Sequence, residues 1–237
     1  MVNLVSQLTL NLFRVEHFAF QDFIEGQNGE IVAALERWLD SVEPVSFFLW
    51  GGDGTGKTHL LQAAVRQINR SGARAIYLPL KDVGEDFHSV TEGLEAMDLV
   101  ALDDVEVFYG VDTEKHLFDF YNRTRDEGGK LLLSSHVKPG GVNIVLRDLA
   151  SRLNAGLAYK LRELDEVQKT QFLIDAAEHR GLKLEYTVVE FIMRTFKRDM
   201  HSLSVVLNLL DSASLQYGRA LTIPFVREIL NSMESDA

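Results

Sequence analysis

Apolar residues follow two alternating patterns along the first two thirds of the chain. Short unbroken apolar runs occur at Val45–Trp50, Ala75–Leu80, Asp98–Leu102, Leu131–Ser134 and Ala158–Leu161, several of them closed by glycine, aspartate or serine. Such runs predict strands buried on both faces. Between them the spacing becomes helical. Ile31, Leu35, Trp38 and Leu39 fall at i, i+4, i+7 and i+8, and His59–Asn69, Glu114–Asp126 and Ile144–Leu153 also read as helices. Strands alternating with helices predict an α/β fold with a parallel sheet of five strands, covered on both sides. After about Arg162 the strand pattern stops. Glu166–His179, Val188–Phe196, Leu203–Tyr217 and Pro224–Asn231 then read as helices, with Thr222 as a cap before Pro224. The predicted organisation is a tail over residues 1–16, an α/β core over 17–162 and a small all-helical domain over 163–237.

Composition narrows the classes of function. The chain has 237 residues, 46% hydrophobic and 25% charged, and its formal net charge is −11. That balance weighs against autonomous grip on duplex DNA, which depends on neutralising phosphates. No apolar run reaches the roughly 20 residues that span a bilayer, and no secretory signal is evident. Cysteine is absent, which excludes disulfides and thiolate metal sites and suits a cytoplasmic protein.

The chemistry concentrates at Gly51-Gly52-Asp53-Gly54-Thr55-Gly56-Lys57-Thr58, a strand-to-helix turn with the spacing G-x-x-x-x-G-K-T. This is a phosphate-binding loop suited to ATP or ADP with Mg²⁺. Glycines let the backbone N–H groups turn onto phosphate, Lys57 supplies a positive charge, and the Thr58 hydroxyl can ligate Mg²⁺. Gly52 through Thr58, with His59 just after them, are the candidate nucleotide-binding residues. Asp103 and Asp104 close the strand Leu99–Leu102. There Asp103 can hold the metal and Asp104 can polarise an attacking water. Ser134 and Ser135 end the next strand, where a hydroxyl can sense the γ-phosphate or serve as an ordinary polar step into the loop. His136, taken alone, reads as a loop histidine.

In this order the motifs resemble the AAA+ ATPases of the DnaA group and, within it, the Hda family of replication regulators. Several segments carry the resemblance beside the phosphate loop: Phe18–Gly26, Leu99–Glu106, Leu131–Pro139, Asp148–Leu153, Lys197–Leu203 and Leu221–Leu230. It implies an AAA+ core followed by a helical lid. Asp22, Phe23 and Ile24 would border the adenine, Ser135 would serve in the sensor strand, and Arg152 would act in trans as a finger on nucleotide held by a neighbouring subunit. From spacing alone, Arg152 reads instead as a helix-surface residue paired with Asp148. His201 stands where the family usually has an arginine, and Arg198 could take over its contact. The tail sequence Gln7-Leu8-Thr9-Leu10-Asn11-Leu12-Phe13 resembles the peptide by which Hda docks to the β subunit sliding clamp of DNA polymerase III, although alternating leucines also suit an edge strand.

The resemblance therefore implies a nucleotide-bound adaptor with DnaA and the clamp as partners, little direct DNA binding, and possible self-association through the AAA+ face. No helix-turn-helix domain follows the helical segment, which favours a regulator over an initiator. A stand-alone ATPase and a helicase-loader-type assembly factor are the alternatives.

Overall fold

The computed structural model describes residues 18–43, 45–83, 87–110, 113–140 and 144–234, without the side chains of His201 and of residues 230–234. The tail motif at Gln7–Phe13 lies outside the described residues.

Five strands form one parallel sheet: β1 (Ser46–Trp50), β2 (Ala75–Pro79), β3 (Leu99–Asp103), β4 (Lys130–Ser135) and β5 (Leu157–Lys160), in the order β2-β3-β4-β1-β5. Each strand lies within a residue or so of the predicted run. The period-2 geometry of a strand splits every run between two cores. Phe47, Leu49, Leu99, Ala101 and Leu132 face a cluster formed with α1 (Gly29–Leu39) and α2 (Lys57–Arg70). Phe48, Val100, Leu102, Leu131 and Leu133 face the opposite cluster, formed with α3 (Leu80–Val83), α4 (Phe87–Thr91), α5 (Thr113–Asp126) and α6 (Arg147–Ala155). Burying each such side chain contributes about 1.5–3 kcal/mol, so neither face could be opened without unfolding the core. At the base of the sheet, Lys130 Nζ donates to the last carbonyls of α1, Trp38 and Leu39, at 2.6 Å each, satisfying acceptors that a helix end leaves open.

The remaining helices, α7 (Glu166–His179), α8 (Tyr186–Thr195), α9 (Met200–Tyr217) and α10 (Ile223–Glu234), share a third core around Leu173, Ile192, Leu203, Leu210 and Phe225. Asp165 and Gln168 form a reciprocal capping box at the start of α7, and the Asp199 carboxylate caps α9 by accepting from Ser202 N–H at 2.8 Å. Where this lid leaves the core, the side chain of Asn28, only 1% exposed, clasps the backbone of Arg162. Its amide donates to the Arg162 carbonyl at 2.9 Å and its oxygen accepts the Arg162 N–H at 2.8 Å.

Several expectations shift: the helix expected from Leu203 begins at Met200, and the last helix runs on to Glu234. The helix expected from Ile144 begins at Arg147, because residues 144–146 are held non-helical by bonds described below. The segments Leu80–Val83 and Phe87–Thr91, together with the 3-10 turns at Phe20–Asp22, Leu94–Ala96 and Val105–Phe108, were not predicted. Among the described residues, no helix is long and apolar enough to cross a membrane.

Candidate functional site

The strand order places the C-terminal ends of β1, β4 and β3 side by side, and the functional side chains meet there. Trp50 is in register with Ser135, and Leu102 with Leu133. The loop after β1 turns into α2 through Gly54 and Gly56, at φ 69° and 90°, a left-handed backbone suited to glycine. A Cβ on Gly56 would fall 2.4 Å from Phe23 Cε2, so the loop also depends on glycine for its close approach to the N-terminal segment. Lys57 is 7% exposed, and its ammonium donates to the carbonyls of Gly51 and Gly52 at 2.9 Å each. Burial lowers its pKa, while the carboxylates of Asp104 and Asp103 oppose that shift.

Asp103 sits behind this loop, 2% exposed. Its Oδ2 accepts from Thr58 Oγ1 at 2.7 Å and from the Tyr77 hydroxyl at 2.8 Å, and its Oδ1 accepts from Ser134 Oγ. Burial, then the Asp103 charge, raises the Tyr77 pKa, so the phenol stays a donor. Ser134 also accepts the Asp104 N–H at 3.0 Å. Asp104 has φ 62°, the left-handed region, alone among the described non-glycine residues. That conformation turns its side chain to Lys81, whose Nζ lies 2.9 Å from Oδ2.

His136 bridges the phosphate loop and the 3-10 turn that follows β3. Its Nε2 meets Asp53 Oδ1 at 2.7 Å, its Nδ1 meets Glu106, and its backbone N–H donates to Glu106 Oε1 at 3.0 Å. Burial pulls the imidazole pKa down, but the bonds to Glu106 and Asp53 outweigh it and the net shift is upward. Glu106, in turn, is held below the usual carboxylate range. Its burial acts upward and is outweighed by bonds from His136 and backbone N–H groups. One potential ligand atom each from Asp104, Glu106 and His136 lie within 4.8 Å of one another, although these groups already pair with one another, Lys81 and Asp53.

These elements line a cleft of about 400 Å³ between core and lid, a size that suits a small ligand. Of the predicted residues, Asp22, Phe23, Ile24, Asp53, Gly54, Thr55, Gly56, Lys57, Thr58, His59 and Asp104 line it. Gly52 and Asp103 lie just behind, through the bonds above. Ser135 is fully buried, and its hydroxyl accepts the Val137 N–H at 3.0 Å. It is Ser134 that touches the aspartates. Met200 and Ser204 bring α9 to the cleft beside His201. Arg198 is engaged elsewhere, with Glu166 at 2.9 Å and the Met193 carbonyl at 2.8 Å. Lys81 and His136 also line the cleft. Only position could have revealed them: Lys81 lies just past the end of one strand and His136 just past another.

Arg152 stands apart. It occupies the last turn of α6, does not line the cleft, and its guanidinium has no hydrogen bond or ion pair with any described residue. The spacing-based pair with Asp148 does not form.

A five-stranded parallel sheet in this order, with a glycine loop after β1 and an aspartate pair at the end of β3, defines a P-loop AAA+ nucleotide-binding fold. Residues 15–160 match the family model of the bacterial DnaA ATPase domain, and residues 160–230 match that of the Hda lid domain. The chain belongs to the DnaA-homologous AAA+ family, as an Hda-like member. It is 38% identical over 227 residues to an uncharacterized protein of Haemophilus influenzae, covering 95% of this chain and 98% of that one. Its fold resembles domain III of the Thermotoga maritima replication initiation protein DnaA (TM-score 0.76, 22% identity, 91% of this chain and 96% of that one). It also resembles AMPPCP-bound DnaA from Aquifex aeolicus (TM-score 0.69, 24% identity, 81% and 64%).

Proposed function

We propose that the chain is a nucleotide-bound adaptor that docks on the sliding clamp and stimulates hydrolysis of DnaA-bound ATP, lowering initiation of replication. The observation that carries this reading is Arg152: an arginine whose guanidinium has no hydrogen-bond or ion-pair partner among the described residues, on a helix that does not line its own cleft. A guanidinium so placed is available to a nucleotide held by another subunit, where it stabilises charge developing on the transferred phosphoryl group. The DnaA-type core supports DnaA itself as that subunit, since like AAA+ domains offer matching faces.

The residues of the cleft fit a resident adenine nucleotide, as the AMPPCP complex of a DnaA relative also suggests. Phosphate would rest on the N–H groups of residues 52–58 and on Lys57, and Thr58 with Asp103 would hold Mg²⁺, which supplies charge neutralisation when bound. ADP or ATP satisfies these contacts. Phe23, Ile24 and His59 would flank the base. Asp104 Oδ2 is engaged by the Lys81 ammonium at 2.9 Å, which turns that oxygen away from an attacking water and supports an adaptor over an efficient solitary ATPase. Gln7, Leu8, Leu10, Leu12 and Phe13 would anchor the tail in an apolar pocket of the clamp. Tethering would then replace a weak encounter by a local concentration of roughly millimolar order.

The test is conversion of ATP-bound DnaA to its ADP form with DNA-loaded clamp, ADP and this protein. Stimulation that disappears when Gln7, Leu12 and Phe13 become alanine is expected. No stimulation by the wild-type chain would remove the adaptor reading.

A further inference from the structure

Glu114 is a buried carboxylate that the nucleotide site does not use. It sits in the first turn of α5 and is 3% exposed. A buried carboxylate is costly unless donors surround it, and no cation pairs with it among the described residues. Its donors are all backbone N–H groups from two loops. Val145 N–H reaches Oε1 at 3.0 Å and Oε2 at 3.1 Å, Leu146 N–H reaches Oε2 at 2.7 Å, and Gly110 N–H reaches Oε1.

Leu146 is the N-cap of α6, which has no capping side chain of its own. Glu114 therefore supplies the missing cap from a different helix, and its negative charge sits at the positive end of the α6 dipole. The other end of α6 touches the same helix. The Tyr121 hydroxyl, also on α5, lies 3.5 Å from the Arg152 carbonyl and 3.1 Å from Ser46 Oγ. Leu149, between these points, and Leu153, just past Arg152, are buried. Thus α5 is a mount for α6, and Glu114 is the polar fastening at the end opposite Arg152.

We infer that Glu114 is a positioning residue for Arg152: it sets the direction in which α6 presents its guanidinium to a second subunit. This rests on the finger reading of Arg152 above. The lever is short but sufficient. Six residues of helix separate Leu146 from Arg152, about 9 Å at 1.5 Å per residue, so a tilt of roughly ten degrees moves the arginine by about 1.6 Å. Misplacement of about 1 Å can cost of the order of a hundredfold in rate. Glutamine at 114 keeps one acceptor but turns an amide N–H₂ toward donors, so the cap is at best half kept.

The experiment uses the full-length chain with DNA-loaded clamp and ATP-bound DnaA, comparing wild type, Glu114→Gln, Arg152→Ala and the double variant. Glu114→Gln is expected to lower the maximal stimulated rate about tenfold or more. Its half-saturating concentration and its own nucleotide affinity should stay unchanged. The double variant should be no slower than Arg152→Ala alone, because both act through one group. Equal maximal rates for wild type and Glu114→Gln would overturn the inference. So would a loss that multiplies with Arg152→Ala, or one that tracks lost nucleotide binding, since either marks general destabilisation. A wild-type chain that gives no stimulation removes the adaptor reading and this inference with it. If Glu114→Gln does not fold, Glu114→Asp, which keeps the charge but is shorter, takes its place with the same readouts and the same overturning results.

Discussion

The ends of β1, β3 and β4 and the end of α6 lie in one domain and are built in opposite ways. At the strand ends every charged group has a partner in the chain: Asp103 receives three hydroxyl groups, Lys57 two carbonyls, Asp104 an ammonium, and His136 two carboxylates. At the α6 end, Arg152 receives none among the described residues, while the backbone that carries it is fastened by Glu114 and Tyr121. A group acting on its own chain's ligand can be organised by its neighbours before the ligand arrives. A group acting on another chain's ligand has to be left unspent, so the order must be placed in its support instead.

The sharpest way to break this contrast is to cross the two arginine and lysine variants. Arg152→Ala is expected to lose about 10³-fold in stimulated hydrolysis and to keep its own nucleotide affinity, whereas Lys57→Ala should bind nucleotide about 10–100-fold more weakly. Titration of labelled ADP into each variant, beside the stimulation assay, separates the two. Weaker nucleotide binding by Arg152→Ala would place that arginine on its own ligand and erase the contrast.

A smaller effect is expected from Tyr77→Phe, which removes one of the three hydroxyl donors to a buried carboxylate. Urea unfolding should show a loss of about 1–2 kcal/mol, and nucleotide affinity should become a few-fold more dependent on Mg²⁺ concentration. An unchanged unfolding midpoint would mean that Asp103 does not need this donor.

The smallest effect is pH-dependent and belongs to His136. Its folded pKa is raised above the ordinary 6.5, so its contribution is fully present below that value and is lost as pH rises through the raised one. Those of Asp53 and Glu106 are lowered, so theirs is lost as pH falls through the carboxylate range. The bridge therefore stabilises in the window between. With Asp53 90% exposed at its side chain, solvent limits the effect to less than about 1 kcal/mol. Unfolding midpoints of wild type and His136→Gln should differ most near about pH 6 and converge by about pH 9. A constant difference across that range would assign the effect to packing.

The same contrast explains what was legible in the sequence. Phosphate loop, aspartate pair and five strands are local patterns, and each fell where its residues predicted. The partners of those residues are not local. Tyr77 and Ser134 meet Asp103 because β2 and β4 flank β3, a neighbourhood that chain order does not state. His136 looked like a loop residue because its partners lie 30 and 83 positions away. Leu80–Val83 and Phe87–Thr91, at 4 and 5 residues, are too short to show a 3.6-residue period. The start of α6 was misplaced by three residues because the capping group is Glu114, 32 positions upstream of Leu146.

The clasp of Asn28 on Arg162 joins positions 134 apart and so closes the core's chain into a loop with a single knot. In chain order the N-terminal segment precedes this clasp and the lid follows it. Phe18, Ala19 and Phe23, ahead of the clasp, rest on His59 of α2, so a pull from the N-terminal side would reach the helix of the phosphate loop before it reached the point from which the lid hangs. An Asn28→Ala chain would keep that first contact and lose the two bonds that tie the lid's point of departure to the start of α1.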